Sequence, residues 1–380
     1  MAPKETHILI VGAGAVGCFY GSRLHEPSRG VHVSLVCRSN YKAIAAGGVQ
    51  MQTRNFGNYT FRPHRVFSSI EHAAASSDAG GSSASSSSSS SSSASDSIRW
   101  DYVVVTTKAL PDIVDDAAQI RALVYPGHSA VVLIQNGVGI ERPHRLAFPS
   151  NPIISAVTVI SAEQIAQGVI RQNRWMRIHL GAFYADGPNA GKPSRELEAA
   201  SEGSVKTLVD LLHAGGVSDA SAHSAAELQL IRWHKLTINS AFNPSAVLSG
   251  GSTNSAMALD PELRIHVRGI MQEIWETAPR ILGQEFDAHL AKPDKILTST
   301  ERNTSGRPSM LVDWEHGRPM ELEVILGNPI RIAREHGIEM PRMQTLYALL
   351  KMAQTKRDEV KKAAKTAHGE GGQAGAKARL

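Results

Sequence analysis

The stretch His7-Ile-Leu-Ile-Val11-Gly12-Ala-Gly-Ala-Val-Gly17 decides the fold of this chain. An apolar run that leads into Gly-x-Gly-x-x-Gly predicts a strand, a tight turn and the start of a helix. The first glycine permits the turn, the second admits a diphosphate close to the backbone, and the third allows close packing of helix on strand. The alternative is a glycine-rich turn that binds no ligand. We favour a dinucleotide loop that contacts its cofactor through Gly12, Ala13, Gly14, Ala15, Val16 and Gly17.

A second apolar strand, at residues 31–36, indicates which nucleotide the loop binds. Proteins that bind NAD carry an Asp or Glu about 20 residues after the loop, where it binds the ribose hydroxyls. Residues 27–70 contain no acidic residue, and the strand is followed closely by Arg38-Ser39-Asn40. Arg38 supplies a charged fork for a 2′-phosphate, and Ser39 and Asn40 offer hydrogen bonds. We predict NADP(H) as the cofactor; the alternative for Arg38 is a solvated surface arginine.

Further apolar runs predict an N-terminal α/β domain with a doubly wound sheet of the Rossmann type. A helix is expected from Pro111 and a hairpin around Asn58. The predicted strands lie at 49–53, 59–66, 101–106, 130–134, 153–160, 169–171 and 176–180.

Two polar residues follow the C-terminal ends of predicted strands, where open α/β sheets bind their ligands. Lys108 follows the strand at 101–106, and Asn136 follows the strand at 130–134. We predict both as cofactor contacts. The alternatives are a surface lysine and an asparagine that forms a turn with Gly137.

The second part of the chain has a helical pattern from about residue 220. Helices are expected near 225–248, 258–283, 319–336 and 341–365. The predicted organisation is an NADP-binding Rossmann domain at 1–222, an all-α domain at 223–366 and a flexible tail at 367–380. Within the first domain, the serine-rich segment 76–97 buries too little apolar surface to offset its ordering entropy, so it predicts a disordered insert.

Lys235, Asn239 and Asn243 recur every four residues, which places them in one row along a helix. An ammonium group that can donate a proton, beside two carboxamides, suits an anionic 2-oxo acid. Asn is a poor residue for a helix interior, and Pro244 interrupts the helix directly after the row. The alternative for Lys235 is a solvated lysine on a helix surface.

Several short motifs together resemble the ketopantoate reductases (2-dehydropantoate 2-reductases). They are Gly12–Gly17, Thr107-Lys108-Ala109, Gln135-Asn136-Gly137-Val138-Gly139, Lys235-Leu-x-x-Asn239-x-x-x-Asn243-Pro244, Pro308-Ser309-Met310-Leu311-x-Asp313, Glu321-Leu-Glu323-x-Ile325 and Gly337-Ile-x-x-Pro341. The resemblance runs from about residue 7 to 350. One departure is Ile325-Leu326-Gly327, where the family typically has Ile-Asn-Gly.

The resemblance implies a role for each matching residue. Lys235 matches the catalytic lysine, which donates a proton to the substrate carbonyl, and Glu321 matches the active-site glutamate. Asn239, Asn243 and Ser309 match residues that hold the oxo acid, while Asn136 bridges cofactor and substrate. Taken without the resemblance, Ser309 suits a helix cap and Glu321 an acid in a first helical turn.

Composition narrows the class of partner. The net charge is +5, with no basic patch interleaved with aromatics, so nucleic acid is not expected as a partner. Two cysteines, Cys18 and Cys37, supply neither a disulfide framework nor a metal site. We expect no membrane span, no metal, a monomer or homodimer, and a cytoplasmic protein. Ala378-Arg379-Leu380 resembles a peroxisomal import signal and offers an alternative compartment.

The favoured function is NADPH-dependent reduction of 2-dehydropantoate (ketopantoate) to (R)-pantoate, in the synthesis of pantothenate and coenzyme A. One alternative is a paralogous reductase of another 2-oxo acid or ketone. A second alternative, from a different class, is a protein that senses NADP(H) without turnover.

Overall fold

A computed structural model of the chain describes residues 5–76, 98–184, 192–304 and 306–377, with side chains as far as residue 364. Of the predicted serine-rich insert, residues 77–97 lie outside this range, as does Ala378-Arg379-Leu380. The strands are β1 (Thr6–Val11), β2 (Val31–Val36), β3 (Val49–Thr53), β4 (Gly57–Phe61), β5 (Val66–Phe67), β6 (Tyr102–Val105), β7 (Ala130–Leu133), β8 (Ile153–Ala166), β9 (Val169–Ala182) and β10 (Ala220–His223).

The helices follow the strands in the first part of the chain and dominate the second. They are α1 (Ala15–Leu24), α2 (Tyr41–Gly47), α3 (Ile70–Ala75), α4 (Asp116–Gln119), α5 (Glu141–Ala147), α6 (Arg195–Ala214), α7 (Ala225–Leu248), α8 (Asn254–Leu259), α9 (Pro261–Leu282), α10 (Pro293–Glu301), α11 (Ser309–Glu315), α12 (Asn328–Glu335) and α13 (Pro341–Lys377). The predicted fold class, an α/β sheet followed by a helical region, is confirmed.

The centre of the sheet is parallel, in the spatial order β5-β2-β1-β6-β7-β8. Residues of β6 and β7 are buried throughout, as expected of central strands in a parallel sheet. β2 pairs with one side of β1 and β6 with the other, so the strand order reverses at β1. The loop after β1 therefore lies at the switch point where such sheets bind ligands.

The other edge of the sheet contains a long antiparallel pair formed by β8 and β9. The prediction of two short strands at 169–171 and 176–180 is wrong, because β9 pairs with β8 almost along its whole length. Shifts of register around Ile160 and Ser161, and a positive φ of 50° at Trp175, let one strand pass through the polar stretch between the predicted strands.

Three local expectations in this part of the chain are also wrong. The helix expected from Pro111 begins only at Asp116, because Asp115 caps it by accepting the Ala118 N–H at 3.0 Å. The hairpin turn lies at residues 54–56, between β3 and β4, instead of around Asn58. The short strand β10 lies at the start of the region interpreted as helical, and it pairs with β9.

The chain divides into two compact units, Met1–Arg232 and Trp233–Leu380. The predicted domain boundary near residue 222 lies before this division between Arg232 and Trp233, and also before the start of α7. The first two turns of α7 belong with the first unit because the Arg232 side chain is bound to groups of that unit, Glu141 and Ser155 among them.

The helices of the second unit differ from prediction at several ends. The helix expected at 258–283 is two helices, because Asp260 caps α9 and Pro261 begins it. In place of one helix at 319–336, a π-helical segment at Glu323–Gly327 leads into α12. α13 continues to Lys377, so residues 367–377 of the predicted flexible tail are helical.

No helix within the described part of the chain is long and apolar enough to cross a membrane.

Candidate active site

The glycine loop has two crowded glycines and one open glycine. Gly12 has a φ of +115°, and a Cβ there would lie 2.9 Å from both Thr106 Oγ1 and the Thr107 nitrogen. A Cβ on Gly17 would collide with the carbonyl oxygen of Gly12. At Gly14, by contrast, no atom of the described residues lies within 4 Å of a Cβ position. The loop is therefore packed against the sheet on one side and open at Gly14, where a diphosphate requires space.

The N-terminus of α1 opens directly beside that space. Gly14 is the N-cap residue, and no described side chain caps the helix there. The first N–H groups of a helix lack partners within the helix and carry the positive end of its dipole. The predicted arrangement of residues 12–17, a turn followed by a helix N-terminus, is thus present in the structure, and it suits an anionic group.

Thr106, which the sequence interpretation passed over, fixes the loop to the neighbouring strand. Its hydroxyl donates to the Gly12 carbonyl at 2.6 Å. Thr106 directly follows β6, and β6 is the parallel neighbour of β1. Thr106 and Gly12 are far apart in the sequence and meet only because β6 and β1 are neighbours in the sheet. The glycine motif alone therefore does not reveal this contact.

Asn40 has a different role from the predicted one. Its side chain is buried, and Nδ2 donates to the Ala13 carbonyl and to Gln164 Oε1, each at 2.8 Å. Gln164 Nε2 donates in return to Asn40 Oδ1 at 3.0 Å. Asn40 therefore holds the glycine loop from behind, and its hydrogen bonds are used within the protein. Arg38 and Ser39 are exposed.

Lys108 and Asn136 follow the neighbouring strands β6 and β7, at the same edge of the sheet as the glycine loop. Lys108 is exposed and Asn136 is partly buried. Gln135 connects the two loops, because its Nε2 donates to the Thr107 carbonyl at 3.0 Å and to Asp116 Oδ2 at 2.9 Å. The fold thus brings the predicted cofactor residues of the first unit to one edge.

The carboxyl of Asp116, which Gln135 binds at this edge of the sheet, interacts electrostatically with Arg38. Burial raises the pKa of the Asp116 carboxyl, and the negative charge of Asp115 adds to the increase, while the Gln135 hydrogen bond and electrostatic interactions with His144 and Arg38 oppose it. The guanidinium of Arg38 therefore lies within electrostatic range of an acid that belongs to the site edge.

In the second unit, α7 contains the whole predicted row. Lys235 and Asn239 are partly buried, and Asn243 is 7% exposed. Pro244 lies inside the helix and cannot donate to the carbonyl four residues before it. Because one continuous helix spans all three residues, the ammonium and both carboxamides share one helical face, as the spacing predicts.

Ser309 and Glu321 lie in the second unit, at the start of α11 and shortly after its end. Ser309 is the exposed first residue of α11, and the N-cap residue is Pro308. Glu321 is 7% exposed and lies two residues before the π-helical segment. Such segments frequently mark functional sites. Glu321 is thus buried, and it precedes the π-helical segment instead of lying in the first helical turn that the isolated sequence suggested.

Glu323, two residues after Glu321, is held by three side chains. It accepts from Tyr347 at 2.5 Å, from Arg331 at 2.7 Å and from Lys351 at 3.1 Å. Burial opposes ionisation, but these three hydrogen bonds lower the pKa of the Glu323 carboxyl below its usual value. The ionised carboxylate therefore anchors the start of the π-helical segment.

Helix α13, to which Tyr347 and Lys351 belong, also contacts the residues directly before Glu321. The Met320 N–H donates to Gln354 Oε1 at 2.8 Å, Arg357 donates to the Arg318 carbonyl at 3.1 Å, and Lys361 donates to the Gly317 carbonyl at 2.6 Å. We use the term α13 polar face for Tyr347, Lys351, Gln354, Arg357 and Lys361. The segment 317–323 is fastened along this face on both sides of Glu321.

Two family models match the chain. One, described as ketopantoate reductase PanE/ApbA, matches residues 8–184, and the other, described as its C-terminal part, matches residues 227–354. The chain belongs to the ketopantoate reductase family. The family consists of oxidoreductases of the 2-dehydropantoate 2-reductase type, and the resemblance expected from the motifs is confirmed.

Individual relatives extend the likeness over nearly the whole chain. A crystal structure of 2-dehydropantoate 2-reductase from Methylococcus capsulatus is 30% identical, with a TM-score of 0.72, over 92% of this chain and 97% of that one. An uncharacterized protein of Saccharomyces cerevisiae is 28% identical over 94% of this chain and 96% of its own. A D-mandelate dehydrogenase with NADH and anilino(oxo)acetate shares the fold, at 20% identity and a TM-score of 0.68 over 93% of this chain and 100% of that one.

Among residues 5–76, 98–184, 192–304 and 306–377, no group of three or more His, Cys, Asp or Glu side chains is arranged to hold a metal ion.

Proposed function

We propose that this ketopantoate reductase family member reduces 2-dehydropantoate to (R)-pantoate with NADPH, a reaction that serves pantothenate and coenzyme A synthesis. The observation that carries the proposal is the row of Lys235, Asn239 and Asn243 on α7. It lies in the segment matched by the C-terminal family model. A cation with two carboxamides on one helical face is suited to an acid with a neighbouring carbonyl.

The fit to NADPH rests on the glycine loop. The open side of Gly14 and the uncapped N-terminus of α1 provide space and N–H donors for a diphosphate. Exposed Arg38 and Ser39 follow β2 at the position where an NAD-binding protein has an acid, so they suit a 2′-phosphate. Lys108 and Asn136 complete the proposed cofactor residues. NADPH, when bound, supplies the hydride that adds to C2 of the oxo acid.

The protein's own groups then have three tasks. Lys235 donates a proton to the carbonyl oxygen and stabilises the negative charge that develops there. Asn239, Asn243 and Ser309 hold the oxo acid, and Asn136 contacts both cofactor and substrate. Buried Glu321 hydrogen-bonds the substrate and helps to orient the lysine.

A second candidate is reduction of a different 2-oxo acid, with NADH or NADPH. The observation that favours it is the likeness to a D-mandelate dehydrogenase whose structure contains NADH and anilino(oxo)acetate.

The deciding experiment is a panel of oxo acids with the purified protein. 2-Dehydropantoate, phenylglyoxylate and unbranched 2-oxo acids are each assayed by oxidation of NADPH and of NADH, and kcat/KM is compared. The highest value for 2-dehydropantoate with NADPH supports the proposal. A higher value for another acid supports the second candidate, and binding of NADPH with no turnover of any acid supports a sensing role.

A further inference from the structure

We propose that Arg232 is a positioning residue for Asn136, with Glu141 as its counter-ion. Both charges are buried, at 3% and 1% exposure, and Arg232 Nε lies 2.9 Å from Glu141 Oε1. Burial of two ions costs solvation energy that their attraction repays only in part. A buried ion pair is thus weak evidence for a purely stabilising role, and its contacts indicate what else it does.

The guanidinium binds the backbone on both sides of Asn136. Arg232 Nη1 donates to the Gln135 carbonyl at 3.1 Å and to the Gly137 carbonyl at 3.0 Å. One nitrogen atom thus binds the carbonyl oxygens of the residues directly before and directly after Asn136. Gly137 has a φ of +88°, a left-handed conformation that glycine adopts without steric cost, so the turn directly after Asn136 is one that glycine permits and the Arg232 hydrogen bonds hold in place.

The remaining donors of Arg232 are used on the neighbouring strand. Nη2 donates to Ser155 Oγ at 2.6 Å and to the Ala156 carbonyl at 3.2 Å, both in β8. Ser155 Oγ donates in turn to Glu141 Oε1 at 2.6 Å. The turn is therefore connected through one planar group to β8 and to the first residue of α5.

Lysine cannot reproduce this arrangement, because its ammonium is a single point charge on a flexible stem, whereas the guanidinium is a rigid fork. The inference rests on the proposed role of Asn136 at the cofactor and substrate. A misplacement of about 1 Å in a positioning group reduces rates by roughly 100-fold. Loss of the fork is therefore expected to impair binding as well as stability.

The test compares Arg232→Lys with Leu208→Ala, a control that removes buried apolar volume from α6 in the same unit. Melting temperature, NADPH Kd, KM for the oxo acid and kcat are measured well below both melting transitions. We expect Arg232→Lys to raise the NADPH Kd and the KM at least about tenfold, and Leu208→Ala to lower the melting temperature with both constants unchanged.

A purely structural role predicts that the two variants behave alike, and that result would overturn the inference. If Arg232→Lys does not fold, Glu141→Gln gives the same readouts, because it removes the charge that orients Arg232 while keeping the side-chain size. Unchanged Kd and KM in a folded Glu141→Gln protein then overturn the inference. Failure of the wild type to reduce any oxo acid is a failure of the proposed function, and the NADPH Kd of the variants still decides this inference.

Discussion

The backbone N–H of Met320 donates to Gln354 Oε1 at 2.8 Å, directly before the buried Glu321. Gln354 belongs to the α13 polar face, and Tyr347 and Lys351 of the same face hold Glu323 on the other side. The position of Glu321 therefore depends on a helix that contributes no predicted active-site residue of its own.

Gln354→Leu is expected to lower kcat about fivefold, because loss of one hydrogen bond to a buried donor costs on the order of 1 kcal/mol. Gln354→Glu keeps an acceptor oxygen for the Met320 N–H and should retain most activity. Exposed Lys356 on the same helix is the matched control, as Lys356→Ala. Steady-state kinetics of the three variants decide the matter; equal kcat in all of them would show that Gln354 does not support Glu321.

Lys235→Ala should lower kcat by about 10³-fold, the usual range for loss of a general acid, while NADPH affinity stays nearly constant. The measurement is single-turnover oxidation of NADPH together with a fluorescence titration of the cofactor. Lys206, an exposed residue paired with Asp210, provides the control variant Lys206→Ala. A Lys235→Ala enzyme with wild-type turnover would remove the lysine from the mechanism.

Two glycines of the loop should respond in opposite ways. Gly17→Ala introduces a Cβ that collides with the Gly12 carbonyl, so the melting temperature is expected to fall by several degrees, in line with about 1–3 kcal/mol for overpacking. Gly14→Ala meets open space and loses only the preference of the N-cap for glycine, so stability should fall less than in Gly17→Ala while NADPH binding weakens. Thermal unfolding and cofactor titration of both variants test this difference. An equal loss of stability in Gly14→Ala and Gly17→Ala would contradict the open space beside Gly14.

Arg38→Ala is expected to reduce the preference for NADPH over NADH by roughly tenfold or more, because a charge-assisted bond to the 2′-phosphate is lost. Asn40→Ala is the informative comparison. Since Asn40 binds the Ala13 carbonyl and Gln164, its loss should weaken both cofactors to a similar extent. The ratio of kcat/KM with the two cofactors is the measurement, and an unchanged ratio in Arg38→Ala would argue against recognition of the phosphate by Arg38.

Acid should destabilise the first unit through His25. Burial, followed by the charges of His32 and His64, lowers the pKa of His25 to about 4 from its ordinary 6.5, with Glu26 opposing the decrease. The unfolded chain binds a proton at about pH 6.5 and the folded chain only near pH 4, so stability present above pH 6.5 is lost as the pH falls toward 4. Urea unfolding across this range should show a shallower pH dependence in His25→Asn than in the wild type.

Local patterns predicted the parts of the site that depend on neighbouring residues. The β1 strand, the glycine loop and the start of α1 follow from steric demands at Gly12 and Gly17. The α7 row follows from helical periodicity alone. In each case the information lies within a few residues, where backbone sterics and repeat spacing operate.

The supporting residues could not be predicted in this way. From the sequence alone Asn40 suits a phosphate ligand, because its partner Gln164 lies in β8, far from Asn40 in the sequence. The α13 polar face and the Arg232–Glu141 pair depend on contacts between residues distant in the chain. Periodicity indicates which face of a helix or strand is apolar. It does not indicate which polar side chains form hydrogen bonds or ion pairs with each other.

The buried pair of Arg232 and Glu141 also constrains how the sequence of this protein can diversify. Loss of either charge alone leaves an unmatched ion in the interior, so single substitutions that remove one charge are expected to cost stability. Laboratory evolution toward new substrates would progress fastest from libraries that leave both positions untouched and randomise exposed or partly buried positions. Historical drift at one of the two would be expected only in lineages that replaced the other.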